Sequence, residues 1–168
     1  MNPVESALKL VGPIYDAAAD PQLWPQVLQK LADVLEGVTA VISLESTARP
    51  GQGIVASIRT PEDFQKSYVE HFQQINPWAQ RGAHLMQAGT VSTPEMVLSV
   101  GETAQSEYYQ DFLRPQGLFH AVGLVVEVRD RQASVVSSHR SRRKGPYTEE
   151  HFELLRLLWP HFERAARG

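Results

Sequence analysis

The chain has 168 residues, a length that fits one domain with a sizeable core, and its 42% apolar and 21% charged residues are ordinary for a globular protein. A formal net charge of −3 argues against a surface built to coat a phosphate backbone, and zero cysteines exclude disulfides, zinc–thiolate sites and thiol nucleophiles. Six histidines, none at HxH or HxxxH spacing, offer no local metal site.

Val4 to Ala19 reads as a first helix. Val4, Ala7, Leu8, Val11, Ile14, Tyr15 and Ala18 recur at spacings of three and four, and Pro13 predicts a kink or break near Gly12. Asp20-Pro21 is a turn and cap signal. Pro25 suits the first turn of a second helix, whose stripe is Val27, Leu28, Leu31, Val34 and Leu35, with Gly37 as its left-handed stop. The period then changes to two. Thr39–Ser46 and Ile54–Arg59 read as strands of a hairpin around a turn at Arg49–Gly53.

Thr60-Pro61-Glu62-Asp63 opens a helix with Thr60 as cap; Phe64, Tyr68, Phe72 and Ile75 share a face, and Asn76-Pro77 ends it. A short helix is predicted within Trp78–Met86, an extended stretch at Gly89–Ser92, a helical turn from Thr93, and a helix over Thr103–Leu113 closed by Arg114–Gly117. Phe119–Arg129 is nearly continuously apolar and so reads as a central strand, turning at Asp130-Arg131 into Ala133–Ser138. A solvated basic loop, His139–Lys144, comes next. The last helix starts at Thr148, with His151 where a capping box places Glu; Leu154, Leu155, Leu158, Trp159 and Phe162 line it, and Pro160 should bend it. Its broad apolar face calls for cover by the first helix or by a second subunit.

This order predicts an α+β fold, an α/β/α sandwich whose central antiparallel sheet is built from two hairpins. Two aromatic groups flank the long helical insert between the hairpins. Phe64, Tyr68 and Phe72 lead to Asn76 and Trp78, while Tyr108 and Phe112 precede Phe119 and His120. They read either as core or as the walls of an apolar pocket with Tyr68, Asn76 and Trp78 as polar anchors. Tyr108 and Tyr109 cannot both face inward on one helix. No GxSxG, P-loop, GxGxxG or HExxH motif occurs, so no enzyme, cofactor or metal is expected. Nor is there a signal peptide or a run approaching the ~18 apolar residues of a membrane span, which points to a cytoplasmic protein with no membrane partner.

Several segments, taken in order, resemble LuxR-type bacterial transcription regulators. They are Ile14-Tyr15-Asp16-Ala17-Ala18, Leu23 to Leu28, Asn76-Pro77-Trp78, Ser106 to Leu118, Gly145 to Glu150, and Leu158-Trp159-Pro160-His161-Phe162. The resemblance covers nearly the whole chain and is to the amino-terminal sensory domain, a fold related to autoinducer-binding, GAF and PAS-like domains. It implies one sensory domain over 1–168 that binds a small-molecule effector, and the two aromatic groups offer Phe64, Tyr68, Phe72, Asn76, Trp78, Tyr108 and Phe112 as the residues that bind a small apolar or amphipathic molecule. The apolar surplus of the last helix points to a homodimer, and the resemblance implies that DNA is bound only through a helix-turn-helix domain expected after residue 168. Acyl-homoserine-lactone receptors of this kind carry Trp and Tyr before an Asp-Pro pair. Here Phe64 and Tyr68 precede Asn76-Pro77, so the acid that binds the lactone amide is absent. A ligand-free interaction module is the second reading, and an enzyme with an unrecognised site is the third.

Overall fold

The computed structural model describes residues 1–46 and 53–167. The hairpin turn expected at Arg49–Gly53 lies almost wholly outside them.

Helix α1 (Pro3–Ala19) starts at Asn2, whose Oδ1 accepts the Val4 and Glu5 amides at 3.0 and 3.2 Å. It runs unbroken through Gly12 and Pro13. Its buried stripe is Ala7, Leu10, Ile14 and Ala17, rotated from the expected one, so Val4 and Leu8 lie exposed (53% and 70%). Both stripes satisfy helical spacing, and packing against the last helix selects between them. Helix α2 (Trp24–Val34) carries Pro25 in its first turn and buries Val27, Leu28 and Leu31. The left-handed residue after it is Glu36 (φ 53°) and not Gly37. Gly37 is small for another reason: a Cβ there would lie 2.2 Å from Ser138 Oγ, a buried hydroxyl that donates to Thr39 O.

Strands β1 (Thr39–Ser46) and β2 (Ile54–Ile58) form the first hairpin. The insert comes next. Helix α3 (Glu62–Ser67) starts without a side-chain cap, since Thr60 Oγ1 turns instead to Ile58 O at 3.5 Å. It widens into a π-helical segment at Tyr68–Phe72 before the short α4 (Gln73–Ile75). Asn76 ends this run and caps α5 (Pro77–Arg81). The two-residue strand β3 (Val91–Ser92) leads to α6 (Val100–Gln105), which opens with a capping box between Ser99 and Glu102. The single helix expected over Thr103–Leu113 is in fact broken at Ser106, whose hydroxyl accepts the Tyr109 amide and restarts the chain as a second π segment, Tyr108–Leu113.

Strands β4 (His120–Arg129) and β5 (Gln132–Arg140) form the second hairpin, and both turn residues, Asp130 and Arg131, have positive φ, as a tight two-residue turn requires. Strand β5 reaches past the predicted Ser138 to include His139 and Arg140. Arg140 is therefore no part of a solvated basic loop. It is buried, donates to the carbonyls of Gly145, Pro146 and Leu35, and lies 4.1 Å from the Tyr147 ring centre. Helix α7 (Glu149–Arg167) runs unbroken through Pro160. At its start His151 Nδ1 accepts the Thr148 amide at 2.9 Å, the role a Glu takes in a capping box.

The sheet is antiparallel in the order β2-β1-β5-β4-β3, so the two hairpins join through β1 and β5, and the insert adds β3 at the edge. Helices α1, α2 and α7 cover one face, and the main core of Leu10, Leu31, Val122, Leu124, Leu154 and Leu158 lies there. On α7, Phe162 stacks on Trp24 (ring centres 6.3 Å apart) and Trp159 Nε1 donates to Val126 O at 3.0 Å beside Gly89. Phe162 is thus buried within the chain against α2, and Trp159 is partly buried at the sheet edge. No helix among the described residues is long and apolar enough to cross a membrane.

Candidate functional site

The insert, residues 62 to 118, covers the other sheet face but does not fill the space against it. Strand alternation turns Val41, Ser43 and Glu45 of β1, Val135, Ser137 and His139 of β5, and Gly123 and Val125 of β4 toward it. A cavity of about 90 Å³ remains, several times the ~10–15 Å³ that one water needs.

Five of the seven residues expected at a pocket line it: Tyr68, Asn76, Trp78, Tyr108 and Phe112. Phe64 and Phe72 do not. They stand behind Phe112, with ring centres 6.0 and 5.0 Å from its own, and Phe112 also meets Tyr68 at 5.5 Å and Tyr108 at 5.3 Å. Phe112 is thus the point where the two π segments touch. Tyr109 turns away and packs edge-on against Phe119 at 5.1 Å. The benzene edge of Trp78 comes close against the sheet because residue 123 is glycine. A Cβ there would come within 2.9 Å of the indole Cη2, so the missing methyl is the space the ring occupies. Asn76 Oδ1 accepts the Trp78 amide at 3.1 Å and orients this wall.

The polar end of the cavity is built on Glu45. Its carboxylate accepts from Tyr68 Oη at 2.6 Å and Ser43 Oγ at 3.0 Å on one oxygen, and from Gln73 Nε2 at 2.8 Å on the other. Burial, together with the smaller effect of the neighbouring Glu45 charge, holds the Tyr68 hydroxyl well above its ordinary pKa, and burial does the same for Tyr108. Both phenols therefore remain hydroxyls through the physiological range. His139, at the opposite end, is pushed down to about 4 by burial and is neutral there. Three donors converging on one carboxylate make an arrangement that binds and orients. Among the described residues, no three His, Asp or Glu side chains gather as a metal site.

Sequence reasoning passed over Ser43, Glu45, Ser137 and His139. The alternation Val41-Ser43-Glu45 and Val135-Ser137-His139 was the available signal. It reads as an ordinary solvent face until β1 and β5 are known to lie side by side under the insert. His120, grouped with the second aromatic set, pairs with Glu95 (Nδ1 to Oε1 2.8 Å) outside the cavity.

No protein-family model matches this chain, and neither does any curated protein. Solved structures do. The LBD domain of VqsR from Pseudomonas aeruginosa aligns over 95% of this chain and 93% of its own, with a TM-score of 0.74 at 15% identity. CepR2 from Burkholderia cenocepacia, an N-acylhomoserine lactone dependent LuxR family transcription factor, aligns over 96% and 93%, with a TM-score of 0.66 at 17% identity. SdiA in complex with octanoyl-rac-glycerol aligns over 98% of this chain but 64% of its own, with a TM-score of 0.62 at 16% identity. GAF domains share the architecture. The chain therefore has the α+β fold of the autoinducer-binding domains of LuxR-type regulators and of GAF domains. At these identities the likeness establishes the fold.

Proposed function

We propose that this chain is the ligand-sensing regulatory domain of a LuxR-type bacterial transcription regulator, with the cavity between sheet and insert as its effector site. The carrying observation is that cavity, walled by Trp78, Tyr108, Phe112, Val125 and Val135 and closed at one end by the Glu45–Tyr68–Ser43 hydrogen bonds. Such a mixture of aromatic wall and few polar anchors suits a small apolar or amphipathic molecule. A ligand that fits one packing of the two π segments better than another shifts the domain toward it, and α7 passes the change on. The apolar residues exposed on α1 (Val4, Leu8) and α7 (Leu157) favour a homodimer through that layer. DNA contact is assigned to a helix-turn-helix module outside these 168 residues.

Thermal unfolding with octanoyl-rac-glycerol below its micellar concentration tests the site. A ligand at 100 times its Kd stabilises by about 2.7 kcal/mol, a rise in Tm of roughly 5–10 °C for a domain of this size. Tyr68→Ala and Phe112→Ala, each referred to its own unliganded Tm, should lose that rise. An unchanged shift in both variants would sink the assignment of the cavity.

A further inference from the structure

We propose that the Glu45 end of the cavity is a head-group subsite that selects amphipathic ligands whose polar head donates hydrogen bonds, an alcohol or an amine, over ligands with an anionic head. This rests on the ligand-sensing reading and adds the chemistry of what is sensed.

Three observations carry it. First, the hydrogens of the two hydroxyls on the carboxylate are already committed. Ser43 Oγ and Tyr68 Oη each have one hydrogen, and both point to the same Glu45 oxygen. What these two hydroxyls keep is lone pairs, those of Tyr68 shared with the Asn76 side chain. Glu45 itself can accept about four hydrogen bonds, and three donors from the described residues reach it, leaving acceptor capacity on the oxygen bound by Gln73. The carboxylate thus keeps an acceptor position, and a head that donates completes it.

Second, the charge is one-sided. Glu45 lines the cavity, and no Lys or Arg among the described residues does. An anionic head would bring a second negative charge beside the carboxylate in a space of low dielectric, with no cation among the described lining residues to offset it. Arg131 lies in an adjoining, more open pocket that shares Glu45, Ala79 and Met86 with the cavity.

Third, the remainder of the wall suits a tail. Around Ser43 and beyond it the lining includes the apolar Val41, Val125, Val135, Met86, Leu85 and Phe112. The sheet rungs from Glu45–Ala133 to Thr39–His139 span six residues, about 20 Å of strand. A linear amphiphile lies along β1 with its head at Glu45.

Calorimetric titration with three probes of equal tail length decides the matter: octanoyl-rac-glycerol (a diol head), octylamine (a cationic donor) and octanoate (an anion). At least one donor-headed probe should bind tenfold or more tightly than octanoate. Glu45→Gln keeps an acceptor for Tyr68 and Ser43 but removes the charge, and it should cut that preference by about tenfold, the effect of one charge-assisted hydrogen bond. Octanoate binding within twofold of both other probes, or a preference unchanged in Glu45→Gln, overturns the head-group assignment while leaving the sensing site in place. The probe comparison needs no variant, so a Glu45→Gln protein that fails to fold does not remove the test. Failure of all three probes to bind overturns this assignment together with the sensing reading on which it rests.

Discussion

His139 shows how one residue can be both ordinary in sequence and costly in place. It stands where a strand runs into a basic segment, and its neighbours Arg140, Arg142 and Arg143 suggest solvent. In the fold its strand is central, and burial lowers its pKa from 6.5 to about 4. Proton counts give the sign of the effect. Above pH ~6.5 neither folded nor unfolded chain binds a proton at this site, so its contribution is full. As the pH falls from 6.5 toward 4 the unfolded chain protonates and the folded one does not, so stability is lost, and below about 4 the loss is constant. His151, lowered chiefly by burial, acts in the same direction. Urea unfolding at pH 7.5 and pH 5 should show His139→Gln losing about 2 kcal/mol less than the parent on acidification. Equal losses would mean that the imidazole is solvated in the folded state. Glycines make the same point without charge. Gly123 sits inside an apolar strand, where glycine is usually a weakness, yet it is the seat of the Trp78 ring.

At the level of elements, the feature that places the cavity residues is the pair of π-helical segments, Tyr68–Phe72 and Tyr108–Leu113. Helical spacing predicts helices in both places, and helices are there. A π turn inserts a residue without breaking the run, so periodicity cannot report it. Its effect is to rotate the residues beyond it about the helix axis, and such turns collect at functional sites. Phe112 joins the two segments through four aromatic neighbours and is 7% exposed. Phe112→Ala should cost about 3–5 kcal/mol in chemical denaturation, and Phe112→Leu much less, because Leu keeps most of the volume. A cost under ~1 kcal/mol for Phe112→Ala would show that the two segments do not depend on each other. The neighbouring surface contact, His71 Nε2 to Glu107 Oε2 at 2.6 Å just ahead of the second segment, is half exposed at both ends and contributes little beside the aromatic cluster.

For the molecule as a whole, the two faces of the sheet have different jobs. The α1–α2–α7 face holds the fully buried aliphatic residues, with long helices and continuous strands. The insert face is built from helices of six residues or fewer, two π segments and a cavity. Hydrogen exchange should therefore be slowest in β4, β5 and α7 and faster across residues 62–118, and a bound effector should slow the second region most. Uniform protection across both layers, or slowing confined to α7, would contradict this division.

The layers were legible from local signals. The change of period at Thr39, the two hairpins, the helix starts at Pro25, Pro61 and Thr148 and the aromatic helices before Asn76 and Arg114 need only local sterics and hydrogen bonding to be read. The ordered segments resembling LuxR-type regulators led to the fold that the structure shows. Three things were set only once the chain was packed: which apolar stripe of α1 is buried, that Phe64 and Phe72 stand behind the cavity wall, and that Glu45 and His139 line its two ends. The last of these depends on the pairing of β1 with β5, strands far apart in the chain. Periodicity reports which way a side chain points, and only long-range packing decides whether it points into water, into core or into a cavity.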